Sequence, residues 1–396
     1  MVDENISKKT AFKFIILLGV VSLLADMTYE GARSITGPYL ALLGASGTVV
    51  GIVAGFGELI GYALRLVSGY ISDKTGRYWL ITIFGYTINL LAVPLLALAG
   101  RWEIAAALMI TERIGKAIRT PSRDAMLSHA TKEIGRGWGF GLHEAMDQIG
   151  AMLGPLIVAA VLFIKGGYKT SFAVLLIPAL LALIVLLTAR HLYPKPRELE
   201  AISATLETKG FPRVFWIYLA AVALVAAGYV DFPLIAYHFK KVSVASDNWI
   251  PIFYAIAMGV DALAALLFGR LFDRKGVSIL IFAVLASSLF APLVFLGGFY
   301  PALFGIMLWG IGMGAQESIM RAAIANMISA NKRGSAYGVF NAGYGLFWFL
   351  GSAVMGIFYD ISIPVLIVFS IITQLASIPF LIMAKRAINI KRAELF

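Results

Sequence analysis

Long apolar runs separated by short polar, glycine or proline punctuation set the pattern of this chain. A helix that crosses about 30 Å of hydrocarbon needs about 20 apolar residues. Twelve runs reach that length, with approximate limits 12–34, 48–70, 79–99, 103–127, 137–163, 170–190, 213–238, 249–271, 277–298, 301–328, 335–358 and 362–384. The ten-residue alternation of a membrane barrel is absent, and backbone groups in lipid must find partners within their own segment, so each run is predicted to be a helix.

The segment 193–211 is the one long polar stretch, and it divides the chain into two sets of six spans. The halves echo each other. Gly69, Asp73 and Gly76 recur as Gly269, Asp273 and Gly276, an offset of 200, and Arg136, Gly141, Ala145 and Gly154 recur as Arg333, Gly338, Ala342 and Gly351, an offset of 197. The expected fold is an all-α integral membrane protein of twelve transmembrane helices in two pseudo-symmetric bundles, an architecture suited to alternating access around a site between repeats. The expected domains are residues 1–193, a cytoplasmic linker 194–212, and residues 213–396.

Composition agrees: 60% of the 396 residues are hydrophobic and 14% are charged, with a mean hydropathy of +0.85. A water-soluble globular protein is excluded, since such chains carry about a quarter charged residues. The net charge of +11 is therefore read against a bilayer rather than nucleic acid. With the N-terminus inside, 23 of the 33 Lys and Arg fall on the inner side, among them Lys74, Arg77, Arg119, Arg123, Arg190, Arg213, Arg270, Arg274 and Lys385. Only Arg101, Lys165, Lys169, Lys240 and Lys241 fall outside. The positive-inside rule then places both termini in the cytoplasm of a multi-pass cell-membrane protein. Lys8, Lys9 and Lys13 precede the first run as in a signal peptide, but the run continues past any such segment, which reads as a retained span. With no cysteine, disulfide frameworks, thiolate metal sites and cysteine nucleophiles are all excluded.

Ionisable side chains inside a bilayer cost several kcal/mol and so face a cavity or a partner. Spans 3, 6, 9 and 12 have none in their interiors and are expected to form the lipid-facing wall. The other spans hold nine acids, Asp26, Glu30, Glu58, Glu112, Glu144, Asp147, Asp231, Asp261 and Glu317, against five bases, Arg33, Arg65, Arg113, Lys116 and Arg321. Asp26, Glu30 and Arg33 follow at i, i+4 and i+7 and share one stripe, while Glu144, Asp147 and Gln148 share a face on span 5. At the positions matching Glu144 and Asp147 the second half has Asn341 and Tyr344. An excess of buried carboxylates points to protons or cations as the neutralising species.

The loop after span 2 reads Gly69-Tyr-Ile-Ser-Asp73-Lys74-Thr-Gly76-Arg77, which resembles the G-x-x-x-D-[RK]-x-G-[RK] signature of the major facilitator superfamily of secondary transporters. Tyr78 stands where that family usually has another base, and the copy at Gly269 to Gly276 lacks the Arg. The resemblance implies that Gly69, Asp73 and Arg77, with Asp273 in the second copy, serve a cytoplasmic gate. Gly141, Gly150, Gly154 and Pro155 in span 5 are similar to the helix-packing motif of the drug/proton antiporter branch, with Val158 replacing its last Gly. Arg113 resembles the buried arginine of the same branch, although Lys116 and Ala117 stand where its Gln and Gly would be.

The reading that results is a secondary transporter, a monomer moving a small amphipathic or cationic compound out of the cell by proton-coupled antiport, without cofactor or nucleic acid. Its proton-coupling or cavity candidates are Asp26, Glu30, Glu58, Arg113, Glu144, Asp147, Asp231, Asp261, Glu317, Asn341 and Tyr344. A metal-ion or metal-chelate carrier is an alternative, because His143 and Asp147 are i, i+4 partners. A lipid-translocating protein of the same fold is another. No H-E-x-x-H, G-x-S-x-G or P-loop occurs, and an enzyme is not expected.

Overall fold

The computed structural model describes residues 2–134, 136–194, 210–328 and 333–393. Most of the polar stretch expected as the linker, and Lys332, lie outside the described residues, as do the side chains of Arg136, Asp273, Arg321 and Arg333.

Among the described residues there is no strand, and the helices are α1 (Val2–Leu42), α2 (Gly47–Thr75), α3 (Tyr78–Leu95), α4 (Trp102–Ile134), α5 (Arg136–Phe163), α6 (Gly167–Val174), α7 (Leu176–Leu192), α8 (Arg213–Gly228), α9 (Phe232–Lys241), α10 (Trp249–Lys275), α11 (Ser278–Ser287), α12 (Phe290–Leu296), α13 (Phe299–Met327), α14 (Arg333–Ile361) and α15 (Ile363–Ala393). They account for twelve passes, because α6–α7, α8–α9 and α11–α12 are each one pass in two pieces. Ten passes are long and apolar enough to cross a membrane by themselves. The remaining two are α4, whose interior carries Glu112, Arg113, Lys116, Arg119 and Arg123, and α13, which is diluted by Gly and by Gln316 and Glu317.

Each of the three interruptions lies next to the residue four before a proline. Proline has no N–H to bond the carbonyl at i−4, and its ring crowds that carbonyl. Pro178 removes the bond to Val174, where α6 ends; Pro233 removes the bond to Tyr229, where α8 gives way; Pro292 removes the bond to Ser288, beyond the end of α11. At Pro38, Pro121, Pro155 and Pro379 the helix runs on. The turns after α2 and α10 depend on Gly76 (φ +62°) and Gly276 (φ +59°), the left-handed backbone that glycine adopts without penalty.

The chain forms two compact units: Met1–Tyr39 with Ile60–Ser203 and Asp247–Ala255, and Leu40–Leu59 with Ala204–Ser246 and Ile256–Phe396. In the first, α1 and α5 run parallel along a glycine seam. Gly19 faces the Met146 side chain, Gly150 faces Leu23 and Asp26, and Gly154 faces Met27 and Gly31. Helices α3 and α4 cross as closely, with Gly85 against Arg119 and Gly115 against Asn89. The second unit repeats the first seam: Gly343 faces Leu219 and Gly351 faces Ala227, joining α8 to α14. It also takes in the first turns of α2, where Gly47, Gly51 and Gly55 lie along Ser352, Gly356 and Tyr359 of α14. There the Asp360 carboxylate accepts hydrogen bonds from the Gly47 and Thr48 amides at 2.9 and 2.7 Å and from Thr48 Oγ1 at 2.7 Å, and so caps α2 from 312 residues away.

Candidate functional site

Along α1 the stripe at i, i+4, i+7 and i+8 holds Ser22, Asp26, Tyr29 and Glu30, and antiparallel to it α4 presents Arg123, Arg119, Lys116 and Glu112. The two helices form a polar ladder inside the first unit. At its lower end, as oriented by the chain's start, Arg123 Nη1 donates to Ser22 Oγ at 2.8 Å and lies 3.9 Å from Asp147 Oδ2, while its remaining donors go to Asp124 at 2.8–2.9 Å. His143 is 3% exposed, with Nε2 3.0 Å from Ser22 Oγ and Nδ1 3.5 Å from Asp147 Oδ2.

One turn up, Asp26 faces Tyr29, Lys116, Arg119 and, across the glycine seam, Asp147. Arg119 is 1% exposed and stacks over the Tyr86 ring at 4.2 Å, a cation–π contact. Lys116 Nζ sits 3.8 Å from the Tyr29 ring centroid and 3.9 Å from Glu30 Oε1. Higher still, Glu30 Oε2 accepts a 2.5 Å hydrogen bond from Tyr254 Oη. Glu112 accepts from Asn89 Nδ2 at 2.7 Å and lies 3.4 Å from Arg113 Nε. From Ser22 to Glu30 the ladder rises by about 12 Å at 1.5 Å per residue. Asp26 Oδ1, Asp147 Oδ1 and the Nε and Nη1 of Arg119 are buried without a hydrogen-bond partner.

The second unit arranges its polar groups around the break in its first pass. Asp231 is 1% exposed and accepts from Trp348 Nε1 at 2.9 Å. The carbonyls freed between α8 and α9 are taken up by side chains: Val230 O by Trp309 Nε1 at 2.9 Å, and Gly228 O by Ser370 Oγ at 2.7 Å and Gln374 Nε2 at 3.2 Å. Tyr344 Oη donates to Gln316 Oε1 at 2.9 Å, and Tyr344 packs on Phe340 and Trp348. Asp261 is buried near Tyr229.

Of the residues singled out by sequence, Asp26, Glu30, Arg113 and Asp147 come together in the first unit, and Asp231 and Tyr344 both reach Trp348 in the second. Glu58 and Asn341 are half-buried, while Glu144 and Glu317 are exposed. Glu144 faces Asp147 but is the more exposed of the two. Asp73 and Arg77 are exposed, and Asp73 accepts from Tyr78 Oη at 3.1 Å, so the residue that departs from the family signature supplies the donor. A Cβ added at Gly69 would make ordinary contact with Pro121 at 3.5 Å. Gly150 and Gly154 are close-packing positions, whereas nothing lies within 4 Å of a Cβ at Gly141, and no helix packs against it. Pro155 sits within α5. Among the described residues no three His, Asp or Glu converge as metal ligands; beside His143 and Asp147 stands the fixed positive charge of Arg123.

Arg119 and Arg123, expected on the inner surface, stand instead in the ladder, Arg119 buried and Arg123 half-buried. Sequence reasoning passed over the uncharged partners Ser22, Tyr86, Asn89 and Tyr254. The spans without ionisable residues are not polar-free: Asn89, Ser287, Ser370 and Gln374 are fully buried, at 1% exposure or less, and hydrogen-bonded.

The helical passes and polar interior define a multi-pass membrane protein. The family model of the Major Facilitator Superfamily matches residues 18–352 and 229–393, and the chain belongs to that superfamily. It is 43% identical to the uncharacterized protein Rv2265 of Mycobacterium tuberculosis over 376 residues, covering 93% of this chain and 92% of the relative. It is 26% identical to the uncharacterized MFS-type transporter MJ1317 of Methanocaldococcus jannaschii, covering 91% and 92%. The fold is that of the nucleoside transporter NupG (D323A mutant; TM-score 0.74, 15% identity, 93% of this chain and 99% of that one). It is also that of a bacterial homologue of the human lysosomal transporter Spinster (TM-score 0.70, 16% identity, 95% of each chain).

Proposed function

We propose that this secondary transporter is a proton-coupled antiporter that exports a small amphipathic or cationic compound, seated in the cell membrane with both termini in the cytoplasm. The observation that carries the reading is the pair Asp26 and Asp147, each with a buried oxygen lacking a donor, beside Lys116, Arg119 and Arg123. A buried carboxylate without a full set of donors is costly as an anion, and a proton or a cationic solute relieves the same cost. One site that accepts either but not both is what exchange requires. The basic inner surface supports the orientation. A 119-residue stretch that is 30% identical to the multidrug resistance protein MdtH of Proteus mirabilis, 30% of each chain, supports export.

A thermal-shift screen of amphipathic cations at two pH values tests the competition. By linkage, a ligand that displaces protons stabilises more at the higher pH. Stabilisation that is equal at both pH values, or that comes only from anions or divalent metals, would overturn the reading.

A further inference from the structure

Helix α10 is divided: Asp247–Ala255 group with the first unit and the chain from Ile256 onward with the second. The segment that stays behind is enclosed around most of its circumference, Pro251, Phe253 and Ala255 being buried as well as the pair that follows. Ile250 and Tyr254 stand at i and i+4 and are 0% and 1% exposed, and the Tyr254 hydroxyl donates to Glu30 Oε2 at 2.5 Å. A hydrogen bond to a carboxylate away from water belongs to the strong class.

Glu30 is not a spare acceptor. Its other oxygen faces Lys116 at 3.9 Å. Arg33, Asp26 and Tyr29 of α1 and Arg113 and Glu112 of α4 also face it. The same carboxylate thus belongs to the polar ladder and holds the opening turns of a helix whose residues 256–275 lie in the other unit.

We propose that Tyr254 is a positioning residue of the transport cycle, whose hydroxyl on Glu30 keeps the first turns of α10 seated against α1 and α4 until a change of state at Glu30 releases them. This rests on the reading of Asp26 and Asp147, next to the bases of the ladder, as the coupling site. A proton or a cationic group that takes Glu30 Oε2 displaces the hydroxyl, and occupancy of the ladder is thereby passed to α10 without any further moving part.

The absence of cysteine makes the test direct. Ile250→Cys places a thiol on the enclosed segment, and maleimide labelling of the full chain in detergent reads how often that segment is released. Tyr254→Phe keeps the ring and removes only the donor. It is expected to speed labelling about tenfold, the population change that corresponds to ~1.4 kcal/mol. Glu30→Gln is expected to speed labelling while Tyr254 is in place and to add nothing when combined with Tyr254→Phe, because both act through one bond. Ala255→Cys, 3% exposed in the parent, serves as reporter if Ile250→Cys loosens the helix by itself. Labelling unchanged by Tyr254→Phe, or effects of the two substitutions that multiply, would overturn the proposal. No solute or gradient enters this measurement, so it fails separately from proton coupling, which is read by the pH dependence of ligand stabilisation.

Discussion

Gly154 and Gly141 stand on the same helix and in the same motif, yet one added methyl group should affect them differently. A Cβ at residue 154 would run into the Met27 carbonyl oxygen and lie 2.9 Å from Gly31 N and from the Met27 carbonyl carbon, the carbon contact alone being about 0.6 Å inside the ~3.5 Å at which carbon contacts are best. The obstructing atoms are backbone, so no side chain can swing aside, and α1 must move off α5 along the whole seam from Gly19 to Gly31. Overpacking of this kind costs about 1–3 kcal/mol. Alanine is the better helix former by about 1 kcal/mol, but that gain is common to Gly154→Ala and Gly141→Ala and cancels between them. Gly154→Ala should therefore be about 1–3 kcal/mol less stable than Gly141→Ala, roughly several degrees in unfolding temperature by the scaling of soluble domains. Thermal unfolding in detergent followed by tryptophan fluorescence reads the difference. Equal midpoints, or a Gly141→Ala variant that melts first, would refute the packing of α1 on α5 through Gly154.

Asp360→Ala removes three hydrogen bonds from the start of α2 and should lower stability by about 0.5–2 kcal/mol, the usual worth of a helix N-cap, read from the same melting curves. Asn89→Leu leaves Glu112 without its amide donor and should cost about 1–3 kcal/mol, whereas Thr87→Val, at a half-buried hydroxyl bonded only to its own helix, should cost under 1 kcal/mol on the same assay. Trp348→Phe keeps an aromatic ring beside Tyr229 and Tyr344 but strips Asp231 of its 2.9 Å donor. It should destabilise by about 1–3 kcal/mol on the same melting curves.

The passes were legible because hydrocarbon imposes a run length that a chain of this composition cannot hide. The breaks were legible only in part. Proline removes the same bond at Pro155 as at Pro233, and what differs is the neighbourhood: around the α8–α9 break Trp309, Ser370 and Gln374 bring donors to the freed carbonyls, and these residues come from distant passes. The ladder was half legible. The i, i+4 spacing of Asp26 and Glu30 fixed one rail, but Arg119 and Arg123, close to the inner end of their span, read as surface charge. Selecting by ionisability passed over Ser22, Asn89 and Tyr254, whose part lies in what they donate. Glu30 and Tyr254 are 224 residues apart, and no local period connects them. Gly141 shows the converse: a motif glycine is identified by spacing alone, whereas packing depends on what lies opposite.

If Asp26 and Asp147 are the coupling pair, Asp147 gives up a proton when the exported compound binds. Purified protein in liposomes carrying a pH-sensitive dye, challenged with the amphipathic cation ethidium, tests it most directly. Ethidium addition is expected to move protons in the opposite direction through the native protein, and Asp147→Asn, its folding checked by its unfolding temperature, to abolish this proton flux. Ethidium-driven proton flux that persists in Asp147→Asn, or none with the native protein, would contradict it.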